Sequence, residues 1–350
     1  MTDGRRLAFL IGNGSGTGGA ERRLAEVLPL LRSEGARATV LCPAPDAPRP
    51  LRDSCGVAEV LTSVDTRRFI QWVAKAEPDA VFVFGHRAAA LAGLARVLMP
   101  RRMPRFIVMQ TGLDYRRNSR TYGWIIRRRS LVRLVLANSI SAVDHVLEAF
   151  RVPADRVALL PSAVGARWLE PIPESRLGSA ELTVAIVGSS RQEKNLAPMM
   201  EALADVARNM PIRTVIYSDN CSIHRELVER CEVTGSVSFI EGRQLEPTDY
   251  REIDILLHAS VSESMSRSII EALSQGCAVV ASSCPELAEL GRPSLLLDGH
   301  DASDIARGLA NAAEYVAAVL PERRRSEPFP WPSADFYASE LLRLVDSKQK

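Results

Sequence analysis

The sequence predicts an α/β protein made of two doubly wound parallel sheets. Three observations carry that expectation. The chain has 350 residues, enough for two domains. Short apolar runs alternate with helical periodicities through both halves. The alternation breaks near residues 161–178, in a stretch with three prolines and no clean period.

The elements follow in order. LAFLI (7–11) reads as a strand. Ala20, Leu24, Val27, Leu28 and Leu31 then fall at helical spacing, with Gly35 as the stop and Pro29 expected to kink or loosen the helix. ATVLC (38–42), AVFVF (80–84), RFIVM (105–109) and RLVLA (133–137) continue the sheet, with helices near 66–76, 87–98, 121–131 and 140–149. A second series starts at LTVAIVG (182–188) and a helix over 196–207. RTVIYS (213–218), VSFIEG (237–242), IDILLH (253–258), CAVVAS (277–282) and SLLLD (294–298) are its further strands. The tail FPWPSADFYASELLRLV (329–345) reads as a helix capped by Ser333, with Phe336, Leu341, Leu342 and Val345 on one face that must dock to be stable. Two such domains place a ligand cleft between the carboxyl ends of their sheets.

Composition narrows the function. Hydrophobic residues make up 46% and charged residues 25%, as in an ordinary globular protein. A formal net charge of +2 gives no argument for nucleic acid. The six cysteines form no C-x-x-C pair and have no histidine at zinc-finger spacing, which suits reduced thiols in a cytoplasmic protein. No secretory signal and no apolar stretch near 18 residues is found, so the chain is expected to act in solution or at a membrane surface.

Gly14-Ser15-Gly16-Thr17-Gly18-Gly19 matches G-x-G-x-x-G between the first strand and the first helix. A nicotinamide site also needs an acid at the end of the second strand to hold the ribose hydroxyls. Here that strand runs into Pro43, Ala44 and Pro45, with the first acid at Asp46, and Arg32 and Arg37 precede the strand. The dehydrogenase reading therefore lacks its second half. Gly18 and Gly19 let backbone approach an anionic ligand at a helix N-terminus, or form a plain flexible turn.

Two later stretches carry more chemistry. VAIVGSSRQEKNL (184–196) is a strand, a turn at Gly188, then Arg191, Lys194 and a helix. SESMSRSIIEALSQGCAVVAS (262–282) sets Glu263 in a loop before a helix that carries Glu271, seven residues intervening. That pattern suits a sugar–diphosphate–nucleoside. The helix N-terminus near Met265, Ser266, Arg267 and Ser268 offers N–H groups to phosphate, and Arg191 and Lys194 neutralise it. The two carboxylates accept hydroxyl hydrogen bonds from the two ends of the ligand. Fixed donors would stabilise the leaving diphosphate without a metal. No carboxylate–histidine cluster reads as a metal site; Asp298-Gly299-His300-Asp301 reads as a turn.

These stretches resemble the retaining nucleotide-sugar glycosyltransferases of the GT-B fold, family 4, also called glycosyl transferases group 1. GGAER (18–22) resembles the family's glycine loop, VAIVGSSRQEKNL its donor loop, and the Glu263–Glu271 segment its Glu-x7-Glu motif. PELAEL (285–290) and LLLDGHD (295–301) resemble the stretch that follows. The tail resembles the closing helix, which in this fold crosses back to the first domain. The resemblance implies two Rossmann-like domains: 1–165 with 333–350 on the acceptor side, and 178–332 for the donor, joined by a linker at 166–177. It also implies roles by position. Glu263 would contact the transferred sugar, Glu271 the ribose, Lys194 the diphosphate, Gly18 and Gly19 the phosphate and acceptor side, and backbone near Gly242 and Arg243 the base. The acceptor would be a hydroxyl on a glycan, a lipid-linked carrier or a natural product, and no metal or further cofactor is implied.

Several positions depart from the family pattern. Ser189 stands where the donor-loop arginine is usual, with Arg191 two residues on as its substitute. Ser264 replaces a glycine, Ser162-Ala163 replaces Asn-Gly, and Thr111-Gly112 replaces His-Gly on the acceptor side. His86, at another strand end, is the acceptor-side alternative. These departures keep open a sugar-nucleotide-binding partner subunit without turnover. Seven arginines between Arg116 and Arg133, with no acid among them, read either as a surface for an anionic membrane or phosphorylated acceptor or as a solvated helix.

Overall fold

The computed structural model describes residues 4–12, 18–53, 56–113, 119–170, 181–243, 245–261, 263–282, 287, 294–323 and 331–346. The chain divides into two compact units, Met1–Gly165 with Pro332–Lys350, and Ala166–Trp331.

The first unit holds strands β1 (Arg6–Ile11), β2 (Arg37–Leu41), β3 (Glu59–Leu61), β4 (Ala80–Phe84), β5 (Phe106–Gln110), β6 (Val132–Ala137) and β7 (Val157–Leu159). They form one parallel sheet in the order β3-β2-β1-β4-β5-β6-β7. Both faces are covered, so the strands read as continuous apolar runs. Along β1, Leu7, Phe9 and Ile11 feed one core with Leu24, Val27 and Leu28, while Ala8 and Leu10 feed the other with Phe69 and Phe106. Phe9 stacks on Phe82 with ring centroids 5.1 Å apart. The edge strands β3 and β7 were not expected; three residues carry no readable alternation.

The helix Gly19–Ser33 continues through Pro29, where a kink was expected. Its buried Leu24, Val27, Leu28 and Leu31 lie on both sides of the proline and hold the helix to the sheet on either side of it. It ends where Gly35, at φ +79°, returns its N–H to the Arg32 carbonyl at 2.9 Å. The tail helix Ala334–Asp346 packs on this first helix. Ser333 Oγ accepts the Phe336 N–H at 3.2 Å, as a cap should. Phe336 itself is exposed, against expectation: the inward stripe is Ala334, Tyr337, Ala338, Leu341, Leu342 and Val345, and Phe336 lies on the opposite face, about 170° from its centre.

In the second unit, β8 (Leu182–Val187), β9 (Ile212–Ser218), β10 (Ser236–Glu241), β11 (Ile255–His258), β12 (Ala278–Ser282) and β13 (Ser294–Leu297) form a second parallel sheet, ordered β10-β9-β8-β11-β12-β13. Residues 166–170, from the expected linker, group with this unit, and Trp168 is fully buried edge-on to Tyr250 at 5.5 Å. Linker residues 171–177 lie outside the described residues. The sequence reading missed the helices Ser222–Arg230 and Ala302–Arg323. In each sheet the chain order reverses once, at β1/β4 and at β8/β11. The carboxyl ends of strands at such a reversal are where doubly wound sheets bind ligands. Among the described residues no helix is long and apolar enough to cross a membrane.

Candidate active site

The reversal in the second sheet sets two loops side by side, because β8 pairs with β11, Ile186 opposite Leu257. After β8, Gly188 takes φ +150°, a backbone state that side-chain-bearing residues rarely adopt. The loop closes in a single 3-10 turn, Gln192–Lys194, and Asn195 in the left-handed region starts the helix Leu196–Ala207. After β11 the chain loops to Ser266, which precedes the helix Arg267–Ser274. Backbone joins the loops, Val261 N–H donating to the Glu193 carbonyl at 2.9 Å. Asn195 Nδ2 ties the first loop to the His300 carbonyl at 2.7 Å.

Lys194 Nζ donates to Glu263 Oε2 at 2.6 Å, the side chains 13% and 26% exposed. His258, the last residue of β11 and buried, brings Nε2 to 3.4 Å from the same oxygen and 3.2 Å from Ser260 Oγ. Glu263 Oε1 has no hydrogen-bond partner among the described residues. Burial pushes the Glu263 carboxyl up, but the hydrogen bond from His258 and the charge of Lys194 outweigh it and hold it at about 2. Burial, then the charge of Lys194, keeps the His258 imidazole below its ordinary value. At neutral pH the group is a carboxylate anchored through one oxygen, with the other available. A small pocket beside it is lined by Gly188, Ser189, Lys194, His258 and Ser260.

Glu271 is fully buried, unlike Glu263. Arg267 Nε donates to its Oε1 at 2.6 Å, one turn earlier on the helix, and Tyr250 Oη donates to its Oε2 at 3.1 Å. Each carboxylate oxygen has a further lone pair to offer, so a ribose contact at Glu271 requires the side chains that cover it to open. Met265 and Ser268 are buried, and Ser266 Oγ lies 2.9 Å from Ser268 Oγ. Arg191 is an exposed side chain that donates to Ser189 Oγ at 3.1 Å and pairs with Glu193 at 3.2 Å. It therefore sits on the loop beside Ser189. Arg243 pairs with Asp249, whose hydrogen bond raises the guanidinium's pKa, and Gly242 turns at φ +66° after β10.

The first unit gathers its own expected residues at the carboxyl end of its sheet. Gly18 caps the helix Gly19–Ser33, and a side chain there would strike the Glu21 carboxylate. His86 opens the helix after β4 and is half-buried. Thr111 and Gly112 follow β5, and Gln110 Nε2 donates to the Gly112 carbonyl at 2.6 Å. In the arginine run, Arg128 lies over Trp124 at 4.6 Å and Arg129 pairs with Asp155 at 2.8 Å. Arg133 is half-buried, and burial lowers its pKa. Arg116 and Arg117 lie outside the described residues, as do Gly14 and Gly16.

His258, Ser260 and Tyr250 are the site residues that sequence reasoning missed. For His258 a signal existed: a polar residue closing the buried run IDILL. Nothing in the sequence links Tyr250 to Glu271. Among the described residues no three His, Cys, Asp or Glu side chains converge as a metal site.

Comparison with known proteins gives the family and the fold. Residues 17–166 match the model of Glycosyltransferase Family 4, and residues 181–314 that of Glycosyl transferases group 1. No curated protein matches the chain in sequence. Solved structures that share its fold include the following three. A glycosyltransferase from Rickettsia africae superposes with a TM-score of 0.78 at 15% identity, covering 99% of both chains. Anabaena HepE in complex with UDP-glucose gives 0.78 at 17%, covering 98% of this chain and 99% of that one. A sucrose-phosphate synthase from Thermosynechococcus elongatus gives 0.75 at 15%, covering 99% of both. Two doubly wound units of this kind make up the GT-B fold, and the two family matches make the protein a glycosyltransferase. The chain belongs to glycosyltransferase family 4, the group 1 glycosyl transferases.

Proposed function

We propose that this enzyme moves a hexose-type sugar from a nucleoside-diphosphate sugar to an acceptor hydroxyl, with retention at the anomeric carbon and without a metal. The observation that carries this reading is the Lys194–Glu263 pair at the β8/β11 reversal, with Glu263 Oε1 unpartnered among the described residues. Anabaena HepE, of the same fold, is known with UDP-glucose bound.

The chemistry follows from these groups. The sugar C1–oxygen bond breaks and the electron pair stays on the diphosphate. Lys194 takes up that growing negative charge, with help from N–H groups at the start of helix Arg267–Ser274. Glu263 Oε1 faces the positive charge that grows on the sugar. The departing phosphate oxygen takes the acceptor proton, so attack occurs on the face that the diphosphate leaves. Glu271 binds the ribose once the side chains that cover it open. The first unit takes the acceptor near Gly18, Gly19, His86 and Thr111, and the arginines from 116 to 133 meet an anionic acceptor or the cytoplasmic membrane face.

A thermal-shift panel of UDP, GDP, ADP, dTDP, CDP and NAD tests the reading. A ligand at about 100 times its dissociation constant adds roughly 2.7 kcal/mol, a rise of a few degrees. A shift with one diphosphate supports the reading and names the base. No shift with any diphosphate, or one with NAD alone, overturns it. Glu271→Ala should weaken binding of that diphosphate; unchanged affinity removes the ribose contact.

A further inference from the structure

We propose that His258 is the positioning residue of the donor site, holding Oε2 of Glu263 through its Nε2–H so that Oε1 stays turned toward the donor when Lys194 leaves for the diphosphate. The inference rests on the glycosyl-transfer reading and goes beyond it.

The geometry sets the problem that His258 solves. Lys194 and His258 reach the same oxygen, at 2.6 and 3.4 Å. The Lys194 ammonium makes no other hydrogen bond among the described residues. Its flexible ammonium is the group a diphosphate would draw away, since each phosphate oxygen offers a full acceptor. Without a second anchor, Glu263 would then be a loop carboxylate free to rotate. His258 is a better fixed point. It ends a strand in the middle of the sheet, it is 4% exposed, and its neighbour Leu257 sits in the core. The contact is long while Lys194 holds the oxygen, and it tightens once that competitor moves.

The chemistry of the partners fixes the tautomer. A carboxylate only accepts, so the imidazole nitrogen facing it must carry the proton. Ser260 Oγ, 3.2 Å from that nitrogen, then offers a lone pair to the same N–H. The facing charges are Lys194 and Glu263. A neutral imidazole also suits the site: it holds the carboxylate without cancelling the negative charge that the sugar needs.

The test has two arms. In the first, long-range ¹H–¹⁵N spectra of the histidine-labelled chain report the His258 tautomer with no substrate needed. The Nε2–H form is expected, and its population should fall in Glu263→Gln; an Nδ1–H form overturns the proposal whatever the enzyme turns over. In the second, hydrolysis of UDP-glucose to UDP and glucose is followed with water as acceptor. His258→Phe should lower kcat by about 100-fold while the dissociation constant for UDP stays within about twofold, because only positioning is lost. His258→Gln, whose Nε2 restores a donor, should recover most of it. An unchanged kcat in His258→Phe, or UDP affinity lost in step with kcat, overturns the proposal. A wild-type chain that neither binds UDP nor cleaves UDP-glucose counts against UDP-glucose as donor, and the tautomer then decides on His258 alone.

Discussion

Lys194 and Glu263 stand 69 positions apart in sequence and meet at 2.6 Å because β8 and β11 are neighbours at the reversal of the second sheet. Neither residue lies in a regular strand or α-helix, and the turn at Gly188 brings Lys194 into place.

Removing the lysine should therefore act on both stability and binding. Lys194→Met leaves Glu263 half-buried with only the His258 bond, and its carboxyl should rise from about 2 as the lysine charge is lost. A hydrogen bond to a charged group contributes about 1.5–3 kcal/mol, and partial exposure places this one at the lower end. Urea unfolding should show a loss of about 1–2 kcal/mol. Nucleoside-diphosphate affinity should drop at least about tenfold, equivalent to 1.4 kcal/mol. In Lys194→Met/Glu263→Gln the stability cost should be smaller than the sum of the single costs.

Arg267 and Glu271 form the deeper pair, 6% and 0% exposed, and predict a different result. Arg267→Ala removes the cation from a buried carboxylate that keeps the Tyr250 hydroxyl at 3.1 Å, and should cost about 3–5 kcal/mol. Tyr250→Phe removes one donor from the carboxylate and should cost about 1.5–3 kcal/mol. Replacing the pair together, Arg267→Leu/Glu271→Leu, should restore much of the stability lost in Arg267→Ala while nucleotide binding stays impaired. Equal destabilisation by the single and double variants would show that the pair is not what holds this helix.

Much of this architecture was legible in the sequence, for physical reasons that can be named. AVFVF and CAVVAS are buried on both faces, so their apolar runs mark strands to within a residue. The Glu-x7-Glu spacing located both carboxylates, but spacing says nothing of burial. It could not reveal that Glu271 lies inside the unit behind Tyr250 and Arg267 while Glu263 stays partly open. Phe336 misled for a related reason: local preference predicted an inward ring, and tertiary packing decided otherwise. The short edge strands and His258 depend on partners distant in the chain, which periodicity does not record.

The tail helix should be indispensable to the first unit. Tyr337, Ala338, Leu341, Leu342 and Val345 are buried in the same core as Leu24 and Leu28. Each large apolar side chain exposed by its removal costs about 1.5–3 kcal/mol, so four would consume most of a typical stability of 5–15 kcal/mol. Ending the chain at Trp331 also removes the Val164–Ser333 bridge and the Tyr337 ring beneath Arg23, 5.0 Å away. The truncated chain should lose its cooperative unfolding transition for the first unit, read by calorimetry. Asp346→Asn, which breaks only the exposed pair with Arg5, should cost less than about 1 kcal/mol.

Acid should destabilise the second unit in two stages. His258 and His224 are both buried with pKa values held low, first by burial. Below about pH 6.5 the unfolded chain binds protons at these positions that the folded chain refuses, so stability falls as pH falls. Glu263 supplies the second stage. Its folded pKa of about 2 lies below the unfolded value of about 4.3, so its contribution is complete above that value and disappears as pH drops toward 2. A melting-temperature profile from pH 3 to 8 should therefore decline twice. His224→Met and His258→Gln should each shrink the upper decline. Lys194→Met should shrink the His258 share of the upper decline, because the lysine charge helps hold that imidazole neutral, and shorten the lower one, because a Glu263 carboxyl closer to its unfolded value has less to lose. A profile flat from pH 8 to 5 in the wild type would mean that neither imidazole is held neutral by its surroundings.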